Sequence, residues 1–333
     1  MTCVFPGDFW LTQSVQSIGT WFAPIMKFFS WLGYPQAYMV IVAIIYWSFD
    51  RKLGLRLAIF LPLVASLNSI LKQAIHAPRP YWLDPGIKVI KVSNGFGMPS
   101  GHAQASTVWF YAGALMKRAW FWAIAISIVF LIGLSRVYLG VHFSSQVWIG
   151  WLIGIIVVFV FLRFEKKVLT WFLNQKFSRQ LLLITGISAL ILILGGIIVC
   201  IYKQWEMPVQ WISNSSAYFT GGNETILYSI GMDAIAGNAG AFMGTAMGAI
   251  LSHRQGAFDA WRKVWKRVLR SVTGLLIFLA LYGILILSTP AQAKVVLYAA
   301  WKFSGFFVIS FSAIFLVPLL FMRIHLISPM KGS

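Results

Sequence analysis

Apolar runs of about 20 residues, separated by short polar or charged breaks, recur along the whole chain. A helix needs roughly 20 mostly apolar residues to cross the hydrocarbon core of a bilayer. Nine stretches meet that need, at about 33–49, 55–76, 100–116, 119–137, 142–162, 181–202, 226–250, 270–288 and 300–322. Ahead of them, Phe9 to Trp31 sets Leu11, Val15, Ile18, Phe22, Ile25 and Phe29 at helical spacing, with Gln13, Ser14, Gln16 and Ser17 on the other side. That amphipathic pattern predicts a helix lying in the membrane interface. The alternative is one more spanning helix, stopped by Gly33, Tyr34 and Pro35. The pattern therefore predicts an all-α integral membrane protein with about nine transmembrane helices.

Composition removes the soluble alternative. Of 333 residues 59% are hydrophobic and 11% charged, against about 25% charged in soluble domains. The net charge of +19 would suggest a nucleic-acid partner, but the positions of the charges exclude it. Arg51, Lys52 and Arg56; Lys117 and Arg118; Arg163 to Arg179; Arg254 to Arg270; and Arg323 with Lys331 fall in alternate loops. Basic residues gather in cytoplasmic loops, so this charge reads as topology and not as a polyanion groove. It places the N-terminus outside and the C-terminus in the cytoplasm. Cys3 and Cys200 are too few for a disulfide framework. Met1 to Asp8 carries no Lys or Arg and does not read as a signal peptide.

Three regions follow: an N-terminal interfacial helix over 1–32, a six-helix core over 33–180 whose sixth helix continues to about 202, and an outside loop with a three-helix C-terminal extension over 203–333. In the extension Gly240, Gly244 and Gly248 recur every four residues, a stripe suited to close helix packing. Asp233 lies in the same segment, where an acid either bonds across a helix interface, lies near the outer surface or has a function. Asn214-Ser215-Ser216 and Asn223-Glu224-Thr225 are glycosylation triplets in the predicted outside loop.

Three clusters carry candidate chemistry, each at a predicted outer helix end. The first, Lys72 to Trp82, sets Lys72 and Arg79 seven residues apart with Pro78 and Pro80 ending the helix. Two cations at a membrane mouth suit a phosphate group: Arg as a bidentate fork, Lys as a point charge. The second, Pro99-Ser100-Gly101-His102, resembles a helix start with a hydroxyl donor, a close backbone approach and an imidazole that titrates near neutrality. The third runs from Ser135 to Gln146 and adds Arg136. Its His142 and Gln146 share a helix face four residues apart, so the Gln146 amide oxygen could hold one ring nitrogen while the other acts as nucleophile.

Lys-x6-Arg-Pro, Pro-Ser-Gly-His and Ser-Arg-x5-His, in that order, resemble the three-part motif of the type 2 phosphatidic acid phosphatase superfamily over roughly residues 35–165. The resemblance implies a six-helix phosphatase core and a metal-independent phosphatase without cofactor. Lys72, Arg79, Ser100, Gly101 and Arg136 would bind phosphate, His142 would attack phosphorus, and His102 would protonate the leaving oxygen and then activate water. Asp84 is the one acid near these clusters, so no metal site is expected. One position departs: most lipid phosphatases of the superfamily carry Asp where this chain has Gln146. The stretch around His142 is similar to glucose-6-phosphatase catalytic subunits, which also have Gln there. The resemblance implies a lipid phosphate or polyprenyl diphosphate substrate, with a sugar phosphate and an inactive scaffold or transport protein as alternatives. The site would face a bacterial periplasm, or alternatively the lumen of the endoplasmic reticulum. Oligomeric state is not legible.

Overall fold

A computed structural model of the chain describes residues 4–216, 218, 231–255, 263–290 and 295–327, and among these there are helices and no strands. In chain order the helices are α1 (Asp8–Gln16), α2 (Ala23–Leu32), α3 (Pro35–Ser48), α4 (Arg51–Ile75), α5 (Pro80–Leu83), α6 (Gly101–Ser106), α7 (Val108–Met116), α8 (Ala119–Tyr138), α9 (Ser144–Leu173), α10 (Phe177–Ile201), α11 (Val209–Ser216), α12 (Asp233–Arg254), α13 (Val264–Leu287), α14 (Val295–Phe311) and α15 (Val317–Arg323). A π turn, Ser312–Leu316, joins the last two.

Among the described residues seven helical stretches are long and apolar enough to cross a membrane. The number is eight if Thr20–Leu32 and Pro35–Ser48 form one bent span. The difference from nine has a local cause. The 100–116 stretch divides into α6 and α7 at Thr107, where Ser106 and Thr107 turn their hydroxyls back onto the carbonyls of Ala103 (2.7 Å) and Gln104 (2.8 Å). Such back-bonding competes with the helical ladder. The N-terminal pattern likewise resolves into α1, a short 3-10 turn at Thr20–Phe22 and α2.

The chain forms two compact units. The first comprises Met1–Tyr34, Leu67–Glu165 and Leu194–Gly231. Met26 of α2 packs there on Tyr138, Leu139 and Val141, and Ala103 of α6 on Val137 and Val147. α9 approaches α6 closely, because a Cβ on Gly150 would come within 2.7 Å of the Ser100 carbonyl oxygen. Aromatic rings of Tyr81, Trp82, Phe96 and Trp211 form a further cluster. Asn214 donates to the Trp82 carbonyl at 3.0 Å, so its side chain already has a partner within the fold. Asn223 lies outside the described residues.

The second unit comprises Pro35–Ser66, Lys166–Ile193 and Met232–Ser333. The start of α4 is capped by Asp50, whose carboxylate accepts from the Leu53 amide at 2.9 Å. The glycine stripe of α12 lies against α14: a Cβ on Gly240 would clash with the Phe303 carbonyl oxygen, and one on Gly244 with that of Phe307. Helix backbones meet directly along this face, as the spacing predicts. Tyr46 and Trp47 of α3 donate to the carbonyls of Ile314 (2.9 Å) and Ala313 (2.8 Å) in the π turn. Asp233 is the first residue of α12, at a helix end and not in mid-span.

Candidate active site

All three clusters lie in the first unit. Lys72 occupies the last turn of α4. His76 then adopts a left-handed conformation (φ 53°) and ends that helix, the usual backbone device at a helix C-terminus. Its ring is walled by Phe96, Tyr202 and Trp205, with centroids 4.2–4.7 Å away. The chain runs on extended to Arg79, which precedes α5. Ser100 sits at the N-cap of α6, Arg136 in the last turn of α8, and Gln146 in the first turn of α9. His142 lies in the Leu139–Phe143 turn between those two helices.

The His142 ring is held from both sides. Gln146 Nε2 donates to the Pro78 carbonyl at 2.7 Å, which orients its amide so that Oε1 faces His142 Nδ1 at 3.1 Å. An amide oxygen only accepts, so Nδ1 carries the ring proton and Nε2 is left with a lone pair. Arg79 Nη1 donates toward that Nε2 at 3.3 Å. Burial, followed by the charges of Arg79, Lys72 and Arg136, holds His142 well below the ordinary imidazole pKa, with the Gln146 bond opposing. The turn is further pinned by the amides of Val141 and His142, which donate to the Arg136 carbonyl at 3.2 and 3.3 Å.

Arg79 is more fully engaged than a free phosphate clamp. Its Nε donates to Gly95 O (2.7 Å), Nη1 to Val141 O (2.7 Å), and Nη2 to Asn94 O (2.7 Å) and Phe96 O (3.3 Å). With the His142 contact, all five guanidinium hydrogens have acceptors. Lys72 Nζ donates to Phe96 O at 2.6 Å. Both cations therefore hold the 94–96 loop against the site. Gly97 follows it where only glycine fits, since a Cβ would lie 2.5 Å from Gln146 Nε2.

Four polar atoms at the motif residues are in the opposite condition. Ser100 Oγ, His102 Nε2, and Arg136 Nε and Nη2 are buried without a hydrogen-bond partner among the described residues, the Tyr34 side chain interacting with the Arg136 guanidinium electrostatically. Arg136 is 0% exposed, and its remaining Nη1 donates to Ser30 Oγ at 2.5 Å. Leaving such polar groups unpaired out of water is costly unless something else pairs them. The backbone of Ser100 is tied to the first turn of α9, its amide donating to Gln146 O at 3.0 Å.

Other supporting residues carry no motif signal. Asn68, one helical turn before Lys72, donates to Pro99 O (3.2 Å) and Gln104 Oε1 (2.7 Å). A Cβ on Gly101 would meet Asn68 Oδ1 at 2.9 Å. Tyr34 stands edge-on to the His102 ring at 4.6 Å, with Lys91 Nζ 4.3 Å above its own ring. Asn68 at spacing four from Lys72 was legible as a shared helix face. Tyr34 was visible only as a helix break.

The family model described as PAP2 superfamily matches residues 51–170, and that described as PAP2 superfamily phosphatase, transmembrane extension, matches residues 236–330. An undecaprenyl-diphosphatase of Sulfolobus acidocaldarius is 27% identical over 144 residues, 43% of this chain and 70% of that protein. Sphingosine-1-phosphate phosphatase 1 of Rattus norvegicus is 30% identical over 172 residues, 49% of this chain and 39% of that protein. Phosphatidylglycerophosphatase B of Bacillus subtilis is 32% identical over 112 residues, 31% of this chain and 53% of that protein. The match thus spans about half or less of the length of the latter two relatives.

Proposed function

We propose that this chain, a membrane phosphatase of the PAP2 superfamily, hydrolyses a lipid phosphate or polyprenyl diphosphate through a phosphohistidine at His142. The observation that carries the reading is the contrast at the site. One imidazole has its Nδ1 proton fixed by Gln146 and its Nε2 lone pair turned toward Arg79 Nη1, while Ser100 and Arg136 beside it hold buried donors with no partner among the described residues. A phosphate dianion has acceptor oxygens for such donors. The substrate class rests on relatives whose names are those of phosphatases of polyprenyl, sphingoid and glycerol lipids, and on a chain whose helices are long and apolar enough to span a membrane.

In this reading Ser100 Oγ and the Arg136 Nε and Nη2 groups bind phosphate oxygens and stabilise charge as the ester bond breaks. Lys72 and Arg79 join them by exchanging carbonyls of the 94–96 loop for phosphate, and Gly101 lets the backbone approach. His142 Nε2 forms a bond to phosphorus as the phosphorus–oxygen bond to the leaving group breaks. His102 gives a proton to that oxygen. His102 then takes a proton from water, whose oxygen displaces His142 from phosphorus, releasing phosphate and restoring both rings. Gln146 keeps Nδ1 protonated and the ring aimed. The site faces the non-cytoplasmic side, a bacterial periplasm or the lumen of the endoplasmic reticulum.

The test is phosphate release by purified protein in detergent from phosphatidic acid, phosphatidylglycerophosphate, sphingosine 1-phosphate, undecaprenyl diphosphate and glucose 6-phosphate, each with and without EDTA. Hydrolysis of one or more of the lipids, unaffected by EDTA, is expected. Hydrolysis of the sugar phosphate alone would replace the substrate class. Release abolished by EDTA and restored by Mg²⁺ would overturn the metal-free mechanism.

A further inference from the structure

The N-terminal helix contacts the turn that carries His142 on both of its sides, and it lies outside both matched family ranges. At its start, Asp8 is 2% exposed. Its Oδ1 accepts from Ser144 Oγ (2.8 Å) and the Ser145 amide (3.0 Å), and its Oδ2 from Ser145 Oγ (2.6 Å) and the Phe5 amide (3.0 Å). Ser144 and Ser145 open α9, immediately after His142 and Phe143. Phe9 of the same helix packs edge-on against Phe143 with centroids 5.0 Å apart. At the other end of α1, Gln16 reaches the near side of the turn. Its Nε2 donates to Tyr138 O (3.1 Å) and Lys88 O (2.7 Å), and its Oε1 accepts from the Lys88 amide (3.2 Å). Gly140, at φ 74°, is the turn residue facing this contact, and a Cβ there would stand 2.5 Å from Lys88 O and 3.1 Å from Gln16 Nε2.

We infer that α1 is a strap that positions the nucleophile, with Asp8 and Gln16 as its two anchors on either side of the His142 turn. Asp8 touches no reacting atom, and Gln16 likewise acts through the turn alone. A charged acceptor with four hydrogen bonds, shielded from water, is a strong local anchor. It fixes the first turn of α9, which also presents Gln146 to His142 Nδ1 at 3.1 Å. Gln146 offers His142 a neutral amide, and the Asp8 carboxylate stands one step back, on the backbone that holds the pair.

The inference rests on the phosphatase reading for its kinetic arm alone. The experiment compares Asp8→Ala, Asp8→Asn, Ser145→Ala and Gln16→Ala with the wild type in full-length protein. It measures kcat and KM separately, thermal unfolding, and the His142 imidazole signal in ¹⁵N-histidine spectra. Misplacing a catalytic group by about an ångström costs on the order of a hundredfold. Asp8→Ala is accordingly expected to lower kcat by roughly tenfold or more with KM within about threefold, and to shift or broaden the His142 Nδ1–H signal. Asp8→Asn keeps the Oδ1 contacts to Ser144 and Ser145 and should recover most of the loss. Gln16→Ala, at a partly exposed position, should lower kcat in folded protein. The inference is overturned if Asp8→Ala and Gln16→Ala leave both kcat and the His142 signal unchanged. It is equally overturned if Asp8→Asn is as impaired as Asp8→Ala, which would make the charge and not the tether the active feature. The spectra read the strap independently of substrate. A wild type that is inactive on every phosphate but shows these shifts would contradict the phosphatase reading and leave the strap standing.

Discussion

Gln146 holds His142 through an amide whose two ends have opposite hydrogen-bonding character. Its amide uses both ends, donating to Pro78 O and accepting from His142 Nδ1 and from the Phe143 amide at 3.3 Å. A carboxylate accepts at both ends and would face the Pro78 carbonyl with like partial charge. Gln146→Glu and Gln146→Asp are therefore expected to lower kcat, by up to about tenfold or roughly 1.4 kcal/mol of barrier. A rise well beyond wild type in steady-state assays would mark Gln146 as a decayed carboxylate site. His142 gives a second check. Its depressed pKa means that the neutral ring is present above the folded value and lost only as pH falls through it, below the ordinary 6.5. In ¹⁵N-histidine spectra, with His142→Asn identifying the signal, the ring should remain the neutral Nδ1–H tautomer at pH 6. An imidazolium at pH 7 would contradict the geometry. The motif residues were legible because their chemistry and spacing are distinctive. The role of Arg79 was only half legible: a cation in a motif reads as a ligand for phosphate, and nothing in sequence shows five backbone and side-chain acceptors already around it.

At the scale of elements, hydrophobic periodicity located every long helix, since a span that must bury or lipidate its surface leaves little room for other patterns. It did not show the division at Thr107, because that break comes from two hydroxyls bonding backward inside an otherwise apolar run. The N-terminal stretch was legible as helical, but its division into α1, the Thr20–Phe22 turn and α2 was not. The role of α1 was not legible either, because Asp8 and Gln16 are polar residues that pattern alone assigns to a solvated face. The glycine stripe of α12 was legible in full, and it yields a comparison. Gly240→Ala would place a methyl against the Phe303 carbonyl, whereas a Cβ on Gly186 of α10 meets nothing within 4 Å among the described residues. Gly240→Ala should destabilise by roughly 1–3 kcal/mol, the usual range for overpacking. Gly186→Ala should be neutral or stabilise by up to about 1 kcal/mol through helix propensity. Thermal unfolding in detergent checks the pair, and equal midpoints for both variants would remove the close-packing account of α12 and α14.

For the whole molecule, charge distribution sets the expected orientation, with the 203–225 stretch outside and the basic loop after α12 in the cytoplasm. In a chain lacking Cys3 and Cys200, a membrane-impermeant thiol reagent on intact cells should label Lys203→Cys and spare Gln255→Cys. The reverse pattern would invert the orientation and move the proposed site to the cytoplasmic face. Sequence regions 1–32, 33–180 and 203–333 describe order along the chain. The first compact unit gathers Met1–Tyr34, Leu67–Glu165 and Leu194–Gly231, an arrangement that depends on contacts distant in sequence. The proposed phosphohistidine at His142 is tested by trapping the intermediate. Purified protein is given a lipid substrate with a radiolabelled phosphate and quenched in alkali, and the labelled peptide is mapped, in wild type and in His102→Ala, where loss of water activation should let the intermediate accumulate. The phosphohistidine mechanism predicts an acid-labile, alkali-stable label on the peptide containing His142, greater in His102→Ala and absent in His142→Ala, which should not turn over. Turnover retained in His142→Ala, or label mapped to another residue, would contradict it.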